Sequence, residues 1–72
     1  SGGNHAERAN LRFRRSLYFV TDIPAGTIIK PEHIRRIRPG YGLPPEALPL
    51  ILGKKARQDI KRGKAVHLDD FL

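Results

Sequence analysis

One thirteen-residue pattern occurs twice in this chain. Residues 22–34 read DIPAGTIIKPEHI and residues 59–71 read DIKRGKAVHLDDF. At a single offset of 37 residues, Asp22 matches Asp59, Ile23 matches Ile60 and Gly26 matches Gly63. Ile29 matches Val66, Glu32 matches Asp69 and Ile34 matches Phe71. Each copy reads as the end of a strand, a tight turn, a return strand and an acidic helical turn that drops one large apolar residue inward. Pro24 suits the second turn position and Gly26 the fourth. Neither copy can bury its apolar face alone, whereas two copies around a pseudo-twofold axis share one core. Two copies are too few for a solenoid, which needs about three or more. The expected fold is therefore mostly β and compact, with a pseudo-twofold internal repeat, many short strands and single-turn helices.

The segments around the repeat fit this plan. Arg15 to Val20 is rich in β-forming residues and predicts a strand. Thr27–Ile29, Ala56–Ile60 and Lys64–Val66 predict further short strands. Lys30–Ile34 predicts one helical turn with Pro31 at its first position, where a missing N–H costs nothing. Arg35–Arg38 predicts a short extended stretch, and Pro39 biases Arg38 away from helical backbone. Gly40-Tyr41-Gly42-Leu43-Pro44-Pro45 predicts a loop. Glu46–Leu52 predicts one or two helical turns, split by Pro49 and ended by Gly53. Ser1-Gly2-Gly3 reads as a tag scar, and the polar residues after it as a linker. The expected division is 1–12 for scar and linker and 13–72 for one folded domain.

Composition narrows the function classes. At 72 residues the chain is one small domain with a marginal core. It has no cysteine, hence no disulfide, thiolate metal site or thiol nucleophile. That fits a reducing compartment, and the expected location is cytoplasmic. No apolar run approaches a membrane span. The three histidines are scattered without metal-ligand spacing. His33 and His67 are expected at the surface. Asp69-Asp70 is a poor acid/base or metal pair, because adjacent side chains on a short turn point apart. Glu32 and Asp69, at equivalent repeat positions, are expected to hold backbone N–H groups of their turns. No catalytic and no metal-binding residue is expected in this domain. The net charge of +7 favours anionic partners.

The motifs Arg15-Ser16-Leu17, Asp22-Ile23-x-x-Gly26, Arg38-Pro39-Gly40, Gly42-Leu43-x-Pro45, Leu52-Gly53-Lys54-Lys55-Ala56 and Asp59-Ile60-x-x-Gly63 occur in this order. Together they resemble the antifreeze-like (SAF, β-clip) domain at the C-terminus of sialic acid synthases, over about Phe13 to Phe71. Ser16-Leu17-Tyr18 with Arg38-Pro39-Gly40-Tyr41-Gly42-Leu43 looks most like the bacterial pseudaminic acid synthase branch. The legionaminic and N-acetylneuraminic branches stay open. The resemblance implies a domain that follows a TIM barrel. That barrel condenses phosphoenolpyruvate with an N-acylated amino sugar to a nonulosonic acid, using a divalent metal held in the barrel. It implies that the domain needs no cofactor of its own, helps form a homodimer and closes over the partner subunit's active site. It also implies that the arginine of the Arg-Pro-Gly motif, here Arg38, contacts the sugar. Pro39 and Gly40 support that arginine, and a guanidinium suits carbonyl, hydroxyl and carboxylate oxygens in a fixed geometry. Phe13 and Tyr41 are weaker candidates for the same cleft. Phe13 competes with a role in core or linker packing, and Tyr41 with packing on its own domain.

Three other readings compete. A basic nucleic-acid-binding module is suggested by the charge, but the expected helices are too short for a DNA-reading element and no RNA-binding aromatic motif is present. Ice binding is disfavoured by Lys30, Glu32 and Lys55 on the stretches that match the family's ice face. A free-standing SAF-type assembly chaperone lacks support from the Leu-Gly-Lys-Lys-Ala and Arg-Pro-Gly motifs.

Overall fold

The computed structural model describes residues 10–72; the tag scar and most of the linker expected before them lie outside the described residues. Two strands, β1 (Ser16–Phe19) and β2 (Ile34–Ile37), pair antiparallel in the register Ser16 to Ile37, Leu17 to Arg36, Tyr18 to Arg35 and Phe19 to Ile34. Three 3-10 turns lie at Pro31–His33, Pro45–Ala47 and Leu68–Asp70. A short helix, α1, spans Leu48–Ile51.

The repeat governs the hydrogen bonding. Ile23 and Ile60, equivalent residues, exchange backbone bonds of 2.8 Å in both directions, so the pseudo-twofold axis passes between them. On either side of it the Asp59 carboxylate accepts from Ala25 N, and the Asp22 carboxylate accepts from Arg62 N, each at 2.8 Å. The equivalence then runs upstream of the motif visible in the sequence. Phe19 N donates to Lys64 O and Ala56 N to Thr27 O; Val66 N donates to Leu17 O and Ile29 N to Lys54 O. The bridges Tyr18–Ala65 and Lys55–Ile28 are equivalent in the same way. Residues 17–34 and 54–71 are thus two copies of one unit. Leu-Tyr-Phe-Val and Lys-Lys-Ala-Arg have the same backbone role with unlike side chains.

The expected return strands contract to single bridges. Between each glycine turn and the following 3-10 turn only four residues remain, 27–30 and 64–67, too few for a second rung. Pro49 does not split the helical segment. It sits in the first turn of α1, where no N–H is needed, and the Pro45–Ala47 turn runs straight into it. Gly53 follows the helix with φ of 87°, a backbone that residues of L configuration rarely adopt.

The core joins both copies: Leu17, Phe19, Ile23, Ile29 and Ile34 from one, and Ala56, Ile60, Val66 and Phe71 from the other, closed by Ala47 and Ile51. Bulk is exchanged across the axis. One copy carries Phe19 with Ile34, the other Ala56 with Phe71, and the two rings meet at a centroid distance of 6.2 Å. Each such large side chain contributes about 1.5–3 kcal/mol by leaving water. Glu32 and Asp69 are exposed and do not hold the turns. The next residue does so in each copy: His33 Nδ1 accepts from Lys30 N at 3.0 Å, and the Asp70 carboxylate accepts from His67 N at 2.8 Å. In a three-residue turn it is the third side chain that reaches back to the N–H preceding the turn. His33 is accordingly half-buried, while His67 is exposed as expected. Asp70 is buried and also pairs with Lys64 Nζ at 2.8 Å.

Candidate functional site

The Arg-Pro-Gly motif leaves the end of β2 and forms a corner pinned from several sides. The Arg38–Pro39 peptide is cis. The Pro39 carbonyl accepts two hydrogen bonds, from Ser16 Oγ at 3.0 Å and from Tyr18 Oη at 2.6 Å. Ser16 Oγ in turn accepts from Gly42 N at 3.0 Å. Gly40 N donates to Leu11 O at 2.7 Å, which ties the chain entering β1 to the same corner. Ser16 is buried to 1% exposure, so its hydroxyl is spent wholly on this lock. A polar side chain so deep needs partners on both its donor and acceptor sides.

The glycines are there for space. A Cβ on Gly40 meets Arg14 Cβ at 2.9 Å, and one on Gly42 meets Leu17 O at 2.7 Å and Val66 N at 2.9 Å. Neither has positive φ. The segment that leads into β1 lies against Gly40, through Arg14 and Leu11. Gly42 sits where Leu17, Leu43 and Val66 exchange backbone bonds of 2.8–2.9 Å, so any side chain there forces strands apart.

From this corner Arg38 projects an exposed side chain. Its Nε donates to Phe13 O at 2.8 Å, and among the described residues its two Nη groups have no partner. A guanidinium has five N–H donors. One is used to orient the plane, and the four on Nη face outward in the fork geometry that suits a carboxylate, a carbonyl or a pair of hydroxyls. The same hydrogen bond brings Phe13 to Arg38. The Phe13 ring is 74% exposed, which removes the expectation that it packs into the core. Tyr41, three residues beyond Arg38, is 59% exposed. Phe13, whose backbone carbonyl orients the guanidinium, and Tyr41, in the loop that follows, are both exposed aromatic residues.

Ser16, Tyr18 and Gly42 hold the corner from which Arg38 projects; all three stand in the sequence motifs, but none was given a role there. The available signal was Ser16 itself, a hydroxyl within a run of strand-forming residues otherwise destined for burial. No group of three or more His, Asp or Glu side chains able to hold a metal occurs among the described residues. The Asp22, Asp59 and Asp70 carboxylates are committed to backbone N–H groups. No helix among the described residues is long and apolar enough to cross a membrane.

Comparison with known proteins gives concordant results. A SAF domain model matches residues 14–72. The chain is 44% identical over 62 residues to the pseudaminic acid synthase of Campylobacter jejuni subsp. jejuni serotype O:2, covering 86% of this chain and 18% of that protein. It is 36% identical over 59 residues to the pseudaminic acid synthase of Helicobacter pylori, covering 82% of this chain and 17% of that protein. The chain therefore spans less than a fifth of these relatives' length. Among solved structures it is similar to an antifreeze protein-like domain in the human N-acetylneuraminic acid phosphate synthase gene, determined in solution. The TM-score is 0.74 at 22% identity, over 79% of this chain and 73% of that one.

Proposed function

The chain belongs to the SAF domain family, as an antifreeze-like domain of the kind found in sialic and pseudaminic acid synthases, and from that premise we propose that it caps a synthase active site. In this reading the domain carries out no chemistry itself. It completes the active site of a barrel that condenses phosphoenolpyruvate with an N-acylated amino sugar, in the cytoplasm, and the barrel belongs to the other subunit of a homodimer. A divalent metal in that barrel supplies Lewis-acid chemistry when bound. This chain's own residues bind and orient the sugar.

The observation that carries the proposal is the Arg38 corner. Its backbone is held through Pro39 O by two hydroxyls, and its Nε is fixed on Phe13 O, while the four Nη donors stay open. A surface arginine of no particular role has no reason to be built this way, since long charged side chains ordinarily keep their rotamer freedom. The exposed Phe13 and Tyr41 rings suit the apolar face of a sugar ring or its acyl group. Nucleic-acid binding is the lesser reading, because among the described residues no helix is long enough to read a groove.

The test is kinetic, in the full-length synthase. Arg38→Ala should lower kcat/KM by about 30- to 1000-fold, the value of a charge-assisted bond of roughly 2–4 kcal/mol in a desolvated site. Arg38→Lys should restore little, because an ammonium lacks the planar fork. Arg62→Ala, an exposed arginine in the second glycine turn, should change kcat/KM by less than about threefold. Near-normal kinetics for a folded Arg38→Ala enzyme removes the capping role.

A further inference from the structure

A groove of about 330 Å³ lies apart from the Arg38 corner. Its apolar lining includes Leu17, Ile34 and Leu48, and its charged lining is Arg15, Arg35 and Arg36 against a single acid, Glu32. By strand alternation Arg15, Leu17, Ile34 and Arg36 share one face of the β1–β2 pair. The volume is at the lower end of what a bound ligand or peptide side chains occupy.

The groove also borders an open strand edge. β1 is flanked on its far side by Ala65, through the Tyr18 bridge, whereas β2 has no second neighbour among the described residues. Val20 N bonds His33 O, which sets the alternation of the ladder. Tyr18 with Arg35, and Ser16 with Ile37, are then the bonded pairs. Ile34 and Arg36 turn their main-chain groups to the free edge. Ile34 N is taken by Pro31 O, so the open groups are Ile34 O, Arg36 N and Arg36 O. Exposed edges of this kind are usually blunted by charge, and here the blunting charges are arginines. Arginine repels another basic chain and attracts an acidic one.

We propose that this groove is a docking site for an extended acidic segment of a partner polypeptide, which adds a strand to the free edge of β2. Main-chain bonds to Arg36 give affinity and set the register, carboxylates pair with Arg15 and Arg36, and an alternate apolar side chain rests on Ile34 and Leu48. The apolar lining and the ladder groups favour polypeptide over nucleic acid, whose backbone offers neither. The site is independent of the role assigned to Arg38.

The test is a titration of the isotope-labelled 72-residue chain, followed by amide NMR, with the blocked peptide acetyl-Glu-Thr-Val-Thr-Glu-amide, whose two Glu side chains and central Val share one face of an added strand. The expected result is saturable binding with Kd below about 1 mM and shifts centred on Ile34, Arg36, Leu17 and Leu48. N-methylation of the peptide's central amides should weaken binding at least about fivefold, because it removes the ladder and keeps the charge. Arg36→Glu and Arg15→Glu should each weaken it by a similar factor, with folding read from the same spectra, while Arg62→Glu changes it less than about twofold. The proposal is overturned by absence of saturable binding, by equal binding of the N-methylated peptide, or by shifts spread evenly over Lys54, Lys55, Lys61 and Arg62. Tighter binding of a single-stranded oligonucleotide at the same groove also overturns it.

Discussion

Replacing Ser16 by alanine tests whether the arginine corner is held as described. The hydroxyl donates to Pro39 O and accepts from Gly42 N, both at 3.0 Å, at 1% exposure. Its removal has unequal effects on the two partners. Pro39 O keeps the bond from Tyr18 Oη, but Gly42 N loses its acceptor in a site with little room for water. An orphaned buried donor costs about 1–3 kcal/mol, and the lost bond to the carbonyl adds about 0.5–1 kcal/mol. The expected destabilisation is about 2–3 kcal/mol, out of a total near 3–9 kcal/mol for a domain of this size. The melting temperature should fall by roughly 10–20 °C. Tyr18→Phe is the internal comparison. It removes one donor and orphans nothing, because Ser16 still serves Pro39 O, so it should cost only about 1 kcal/mol. Urea denaturation followed by far-ultraviolet circular dichroism measures both. A cost below about 0.5 kcal/mol for Ser16→Ala, or a larger cost for Tyr18→Phe, refutes the arrangement.

Other expectations follow from the same geometry. Gly42→Ala, whose Cβ meets three backbone atoms within 3.0 Å, should cost about 2–4 kcal/mol by thermal melting. Gly26→Ala, with open space but φ of 83°, should cost only about 1–2 kcal/mol. Asp22→Ala and Asp59→Ala, which delete symmetry-related bonds, should each cost about 0.5–1 kcal/mol and agree within about 0.5 kcal/mol in denaturant unfolding. A clear inequality between these two would contradict the equivalence of the copies.

The repeat was legible where side chains do the same job in both copies. Asp22 and Asp59 cap the opposite turn, Gly26 and Gly63 adopt positive φ, and Ile34 and Phe71 both enter the core. It was illegible where only the backbone is equivalent. Tyr18 and Lys55 make matching bridges, yet one side chain is buried and the other exposed. The turn-holding residues were displaced by one position, because an acid at Glu32 and Asp69 draws attention while His33 and Asp70 share no chemistry beyond an acceptor atom. Arg38 was proposed from its motif, with Pro39 and Gly40. The lock behind it was not, because Ser16, Tyr18 and Gly42 approach it from more than twenty residues away or by a close contact that no local pattern encodes.

The proposal that this domain completes another subunit's active site is tested most directly by mixing two disabled synthases. One subunit carries Arg38→Ala on an intact barrel. The other keeps Arg38 on a barrel inactivated by mutation. If Arg38 acts across the dimer, mixed dimers hold one complete site each. Random exchange between equal amounts then restores about a quarter of the wild-type activity, since half the dimers are mixed and each has one working site of two. If the mixture remains as inactive as its parents while exchange is verified by differential tagging, Arg38 does not act across the dimer and the account fails.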